Sequence, residues 1–176
     1  NTIYGTEWFQ EPEVGSVPLV CDASSDFLSR PLDMSRYSMI YAGAQKNLGA
    51  AGVTLVMIRQ GFLPEKPGKL PIIWDYRTHI SKDSVFNTPP VFAVYVMGLV
   101  LEWLEKQGGL PAIEAKNRAK AEALYGAIDG SDGFYQGMVE VASRSRMNVV
   151  FRLPSEKLEK GFLELAKRTG LRTEDL

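Results

Sequence analysis

Three short apolar runs constrain this chain more than any other feature. They are VPLVC at 17–21, MIYA at 39–42 and VTLVMI at 53–58. Each is too short for a buried helix, carries β-branched residues and stops at small or polar ones. The first stops at Asp22-Ala-Ser-Ser, the second at Gly43 and the third at Arg59-Gln-Gly. Runs with so little polar alternation read as strands of a sheet covered on both faces, which makes the chain an α/β protein.

The rest of the chain alternates breakers and helices. Pro64, Pro67 and Pro71 with Gly61 and Gly68 keep 60–86 irregular. FNTPP at 86–90 then introduces a long apolar helix, with Thr88 as the expected N-cap and the prolines in its first turn. That helix runs to about Lys106 and stops at Gly108-Gly109; being apolar on most faces, it is expected to pack on several sides. It holds Glu102 and is too short to cross a bilayer, which takes about 20 apolar residues. A second helix, about 111–128, sets Ile113, Leu124 and Ile128 against Glu114, Lys116, Arg118, Lys120 and Glu122. NVVFRL at 148–153 reads as another strand. Ser155 caps a last helix with Leu158, Phe162, Leu163 and Leu165 on its inner face and Gly170 past its end. This order reads as the second part of a larger α/β domain, 1–107, followed by a helical linker and the start of a small α+β domain, 108–176.

With 45% hydrophobic residues a core can be buried, and a net charge of -1 gives no basic surface for nucleic acid or an anionic membrane. The single cysteine, Cys21, reads as a strand thiol and fits a reducing compartment. His79 has no second His or Cys beside it, so no metal site is expected. Trp8, Trp74 and Trp103 read as packing or interface residues. The chain starts NTIYG without a Met and stops at RTEDL without a capping signal, and so reads as a piece of a longer polypeptide.

Lys46 stands in YAGAQKNLGAAG, at 41–52, with no other charge in that stretch. If the first two strands are parallel neighbours, the loops after them line one crevice, and Asp22 and Lys46 face it together. A carboxylate and an amine converging in an apolar pocket suit pyridoxal phosphate. The amine forms a Schiff base with the cofactor aldehyde, and the acid keeps the pyridine nitrogen protonated. Desolvation in such a pocket lowers an amine's pKa. The ordinary alternatives are a turn aspartate and a solvated loop lysine. The glycines fit neither a P-loop nor G-x-G-x-x-G.

IYAGAQKNLGAAGVTLVMIR, with CDASSDFLSRPLDMSRYSMIYAG before it and FNTPPVFAVYVMGLVLEWL after it, closely resembles the phosphoserine aminotransferases. SRSRMNVVFRL and NTIYGTEW resemble the same family. The resemblance covers essentially the whole chain and implies membership of the class V aminotransferases. These have fold type I and use pyridoxal 5'-phosphate in a large mixed-sheet domain followed by a small α+β one. It implies that Lys46 is the Schiff-base lysine, that Asp22 partners the pyridine nitrogen and that Gln45 reaches the cofactor phosphate. It also implies that Asn87 and Thr88 cross a homodimer interface to the partner's cofactor phosphate. Thr2 matches the threonine of the family's N-E-T-I segment beside the ring, although the glutamate of that segment is missing here.

The implied reaction is reversible, ping-pong transfer of an amino group from glutamate to 3-phosphohydroxypyruvate, giving O-phospho-L-serine and 2-oxoglutarate in serine biosynthesis. The implied compartment is the cytoplasm, or a plastid in a plant or alga. The family's upstream phosphate loop and stacking tryptophan, and its downstream K-G-H-R-S-V-G-G segment, have no match here. The isolated chain is therefore expected to transaminate poorly or not at all. Another class V enzyme, or a non-catalytic truncated chain, remain alternatives.

Overall fold

The computed structural model describes residues 1–66 and 68–170. Pro67, one of the expected breakers, and the RTEDL terminus lie outside the described residues. The chain divides into two compact units: Glu11–Glu114, and Asn1–Gln10 together with the chain from Ala115 onward. By packing, the chain passes from one unit to the other at 114/115, and the first ten residues belong with the later unit.

In the 11–114 unit, β1 (Val20–Asp22), β2 (Met39–Gly43) and β3 (Thr54–Ile58) form a mixed sheet in the order β1-β2-β3. β1 and β2 are parallel, with Val20 opposite Met39 and Asp22 opposite Tyr41. β2 and β3 are antiparallel, with Gly43 opposite Thr54. The first run loses 17–19 to an irregular approach, since Pro18 has no amide for a ladder and Val17 is exposed. Ile40 and Ala42 of β2 are buried in a core with Ala23, Phe27, Ala44 and Leu48. The residues between them on β2 are only half-buried. Among the described residues, then, one face of the sheet carries the core. The two-sided cover expected from the apolar runs is not met, and Val20 is 48% exposed.

After β3 come a 3-10 turn (Ile72–Trp74) and α1 (Tyr76–Ile80), where an irregular stretch was expected. Asp75 explains the helix. Its carboxylate caps the Arg77 amide at 3.0 Å and pairs with the Arg77 guanidinium at 2.9 Å. His79, expected in a loop, lies in this helix with Nε2 3.0 Å from the Ile73 carbonyl.

α2 spans Val91–Lys106. Thr88 is not its cap. Pro90 holds that position without a side-chain hydrogen bond, and its carbonyl accepts the Val94 amide. Nor is α2 packed on several sides. Ala93 is its one buried residue, while Phe92, Tyr95 and Trp103 are each more than half exposed. The packed side is set by close approach: a Cβ on Gly49 would lie 3.2 Å from the Met97 Cα, so only glycine lets the β2–β3 loop come this near the helix backbone. Trp8, Trp74 and Trp103, expected as packing or interface residues, are all exposed in this chain.

α3 (Gly109–Asp129) crosses the boundary between the units. It buries Ile113, Asn117, Ala121 and Ile128, and Leu124, expected on that face, is 53% exposed. In the second unit, β4 (Gln136–Gly137) pairs antiparallel with β5 (Phe151–Arg152). The strand expected at 148–153 is this short because the Asn148 amide turns to the Ser145 hydroxyl, 3.0 Å away, instead of to a ladder. Phe162 of α4 (Glu156–Arg168) stacks edge-to-face with Tyr135 and Phe151, which also meet each other edge-to-face. Ser155 caps α4 as expected, by accepting the Leu158 amide, and Gly170 follows in the left-handed region. Of its expected inner residues, Phe162 and Leu163 turn inward beside the buried Ala166, while Leu158 and Leu165 face outward.

Asn1–Gln10 is fastened to this unit by a buried carboxylate. Glu7, 2% exposed, accepts from the Ser145 hydroxyl at 3.1 Å and the Arg146 amide at 2.9 Å. Arg144 adds a two-pronged pair with Asp129 at 2.6 and 2.8 Å and lies over the Tyr125 ring. No described helix is long and apolar enough to cross a membrane.

The core assignment has a direct consequence for stability. Leu48→Ala, at a 1% exposed position, should cost about 2–5 kcal/mol in urea unfolding, and Leu165→Ala, at a 58% exposed one, less than about 1 kcal/mol. Equal costs would contradict the core described.

Candidate active site

The site is built where two parallel strands end together. Asp22 closes β1, and the next amide, Ala23, still bonds the Tyr41 carbonyl of β2 at 2.8 Å. The chain then turns. The Ala23 carbonyl accepts from Asp26 and Phe27, and Leu28 adopts φ 66°. The Asp22 carboxylate is held within this turn by the Ser24 amide at 2.9 Å. What burial Asp22 has pushes its carboxyl up. The Ser24 amide bond, with the nearby hydroxyls of Ser24 and Tyr41, outweighs that and holds it below its ordinary value. The Asp22 charge in turn pushes the Tyr41 phenol up.

β2 ends at Gly43 and enters a tight loop. The Ala44 amide reaches back to the Val53 carbonyl at 2.9 Å, and the Ala44 carbonyl accepts from Leu48 and Gly49 at 3.2 and 2.7 Å. Leu48 is buried beneath it, and the Asn47 amide nitrogen donates to the Phe27 carbonyl. This loop carries Gln45 and Lys46 at the end of the sheet where Asp22 stands. Gln45 folds back over Gly43: a Cβ there would meet its Oε1 at 2.5 Å. Lys46 is exposed, and no hydrogen bond or ion pair ties its amine to another described residue. The apolar, desolvating pocket expected around this amine is not formed by the described residues.

Of the residues expected at the site, the structure brings Asp22, Gln45 and Lys46 to one end of one sheet. Asn87 and Thr88 lie in a separate exposed turn before α2, where the Asn87 side chain bonds only the Thr88 carbonyl, at 3.3 Å. Thr2 belongs to the other unit. Its hydroxyl accepts the Thr6 amide at 3.1 Å and its carbonyl accepts from Asn148 at 2.9 Å. Three contributors escaped the sequence reading: Ser24, Tyr41 and Asn47. Only Ser24 left a signal, since a serine two residues after an aspartate marks an Asx turn. No cluster of metal-ligating side chains occurs among the described residues.

An open groove of about 570 Å³ lies at the opposite end of the sheet, where β1 and β2 begin. Its two arginines are already engaged: Arg36 pairs with Glu13 at 2.9 Å, and Arg59 donates to the Ser35 carbonyl.

Asp22 and the Lys46 loop thus stand together at the carboxyl ends of two parallel strands. The model of the aminotransferase class-V family matches residues 1–172, and the chain belongs to that family. It is 55% identical over 170 residues to the phosphoserine aminotransferase of Geobacillus kaustophilus (strain HTA426), covering 97% of this chain and 47% of that protein. Against the phosphoserine aminotransferase of Bacillus subtilis (strain 168) it is 50% identical, covering 95% of this chain and 46% of that protein. The solved phosphoserine aminotransferase of Bacillus circulans subsp. alkalophilus superposes with a TM-score of 0.94 at 48% identity, over 97% of this chain and 47% of that one. A pyridoxal-phosphate-bound phosphoserine aminotransferase from Trichomonas vaginalis gives 0.90 at 38%, over 98% and 49%. The fold is thus part of the fold type I aminotransferase fold, and the chain spans about half the length of the curated relatives it matches.

The hold on Asp22 can be tested alone. A carboxyl held below its ordinary range, about 4, stabilises the fold above that range, and the contribution is lost as pH falls through the lowered value. Tyr41→Phe removes one donor, so the Asp22 titration followed by carbon-13 NMR should move up and the acid loss should begin at higher pH. An unchanged midpoint would show that Tyr41 does not hold Asp22.

Proposed function

We propose that this chain carries the reactive centre of a phosphoserine aminotransferase. The reaction is reversible transfer of the amino group of glutamate to 3-phosphohydroxypyruvate, giving O-phospho-L-serine and 2-oxoglutarate in serine biosynthesis. The observation that supports it most is the parallel pairing of β1 with β2, which sets Asp22 and the Lys46 loop at one end of the sheet.

The residues present suit pyridoxal 5'-phosphate. The carboxylate stays ionised, the amine is unpaired, and the loop beside them is made of small residues that let a flat ring lie against backbone. When bound, the cofactor supplies an aldehyde for an amine and a protonated ring that draws electrons from the adjacent carbon. Asp22 would keep the proton on the ring nitrogen, lowering the energy of the transition state when charge develops. Lys46 would provide the amine for the aldehyde and would carry a proton to and from the substrate α-carbon. Gln45 and Thr2 would serve the cofactor as the family resemblance implies. Asn87 and Thr88, exposed and uncommitted to α2, serve the partner's site in a homodimer. Residues 1–107 belong in this reading to the large domain and 108–176 to the linker and the start of the small one, with Asn1–Gln10 packed beside the latter. The compartment is cytoplasmic, or plastid in a plant or alga.

Two experiments on the full-length protein that carries these residues test the reading. Adding pyridoxal phosphate should give a visible absorption band and transamination of 3-phosphohydroxypyruvate by glutamate. Lys46→Ala should abolish the band and lower kcat on the order of 10²–10⁴-fold. A band that survives the substitution would refute the assignment, and activity only toward other keto acids would indicate a different class V enzyme. Gly43→Ala should displace the flexible end of Gln45 at little cost to stability, under about 1 kcal/mol, yet weaken cofactor binding measurably in an equilibrium titration. Unchanged binding would remove Gln45 from the site.

A further inference from the structure

Ser24 is bonded on two sides. Its amide donates to Asp22 Oδ1 at 2.9 Å, and its hydroxyl oxygen accepts the Gly43 amide at 2.9 Å. The second bond fills a specific gap. In a parallel ladder, a residue whose amide bonds one partner carbonyl has its own carbonyl bonded by the amide two residues further along the partner. Ala23 donates to the Tyr41 carbonyl, so continuation would send the Gly43 amide to the Ala23 carbonyl. That carbonyl already accepts from Asp26 and Phe27, at 3.2 and 2.8 Å, because the chain has turned away. The Ser24 hydroxyl replaces it. The strands stay paired one step past the point where the backbone of β1 departs, and that step holds Gly43, two residues before Gln45 and three before Lys46.

We propose that Ser24 is a positioning residue for both halves of the site, holding Asp22 through its amide and the Gly43–Lys46 loop through its hydroxyl. This rests on the functional reading above and deepens it: the acid and the lysine loop are set relative to each other by one residue. Asn47, bonded to the Phe27 carbonyl, secures the far side of the loop, so losing the Ser24 hydroxyl should loosen the near side, at Gly43 and Gln45.

The test compares Ser24→Thr with Ser24→Val, which match in size and differ in the hydroxyl. Ser24→Ala is the third variant, should bulk at this position alone disturb folding. Two readouts need no cofactor. Without the hydroxyl the Gly43 amide should exchange with solvent about tenfold faster or more, since a partially buried donor has lost its acceptor. The Asp22 carboxyl should titrate higher, since the Ser24 hydroxyl beside it, as well as the amide, holds it below its ordinary value, while Tyr41, the titratable neighbour from β2, stays in place. In the loaded enzyme, Ser24→Val and Ser24→Ala should lower kcat about tenfold with KM little changed, and Ser24→Thr should keep wild-type values. As a control, Leu153→Ala in the other unit should lower stability without moving either cofactor-free readout. Valine, alanine and threonine variants that behave alike in Gly43 exchange and Asp22 titration would overturn the inference. If the visible band depends on Lys46 but the Ser24 variants match wild type, this inference fails alone. If the band survives Lys46→Ala, the functional reading fails, and the cofactor-free readouts still decide whether Ser24 joins the strand ends.

Discussion

The site depends on the parallel hydrogen-bonded ladder between β1 and β2. It is short, with three residue pairs, yet it fixes two things together. It directs both strands to one end of the sheet, so that the turn after β1 and the loop after β2 meet there. It also sets the register, and a slip of one residue would exchange the buried and half-buried faces of β2. Ile40 and Ala42 resist such a slip because they are buried in the core with Leu48 and Ala44. Core packing therefore determines which residue stands opposite Asp22, and that residue is Tyr41, whose hydroxyl helps keep the acid ionised.

The two carboxylates that matter in this chain are stabilised by different means. Asp22 is exposed and held by a local turn and a neighbouring strand, so its charge can be offered to a ligand. Glu7 is buried and its Oε2 accepts two hydrogen bonds from the Ser145–Arg146 turn, which fasten Asn1–Gln10 to the later unit. Removing water from a carboxylate costs several kcal/mol unless hydrogen bonds replace it, which explains why Glu7 is so fully engaged. The same contrast separates a structural acid from one available for chemistry.

Much of this was legible in the sequence, and the gaps have physical reasons. The three strands, the Asp22 stop, the end of α2 and the Ser155 cap obey local rules that need no tertiary information. Thr88 failed as a cap because Pro90, closer to the helix, takes the N-cap position. Leu124, Leu158 and Leu165 fit an apolar stripe on paper, yet short neighbours such as Ala121 and Ala166 make the contacts. Hydrophobicity indicates which residues can be buried, and packing distance decides which are. α1 was hidden in a proline-rich stretch whose cap, Asp75, works through one arginine. The acid and the lysine were readable as types at strand ends. Their supports, Tyr41 and Asn47, were not, because each acts through a register or a turn that exists only once the strands have paired.

The central claim is that strand pairing selects one lysine among many for chemistry with an aldehyde. The most direct measurement is to load the full-length protein with pyridoxal phosphate, reduce it with borohydride, digest it and locate the fixed label by mass spectrometry. The account predicts one labelled peptide, containing Lys46. Label on other loop lysines, such as Lys66, Lys69 or Lys82, with Lys46 unmodified, would contradict it.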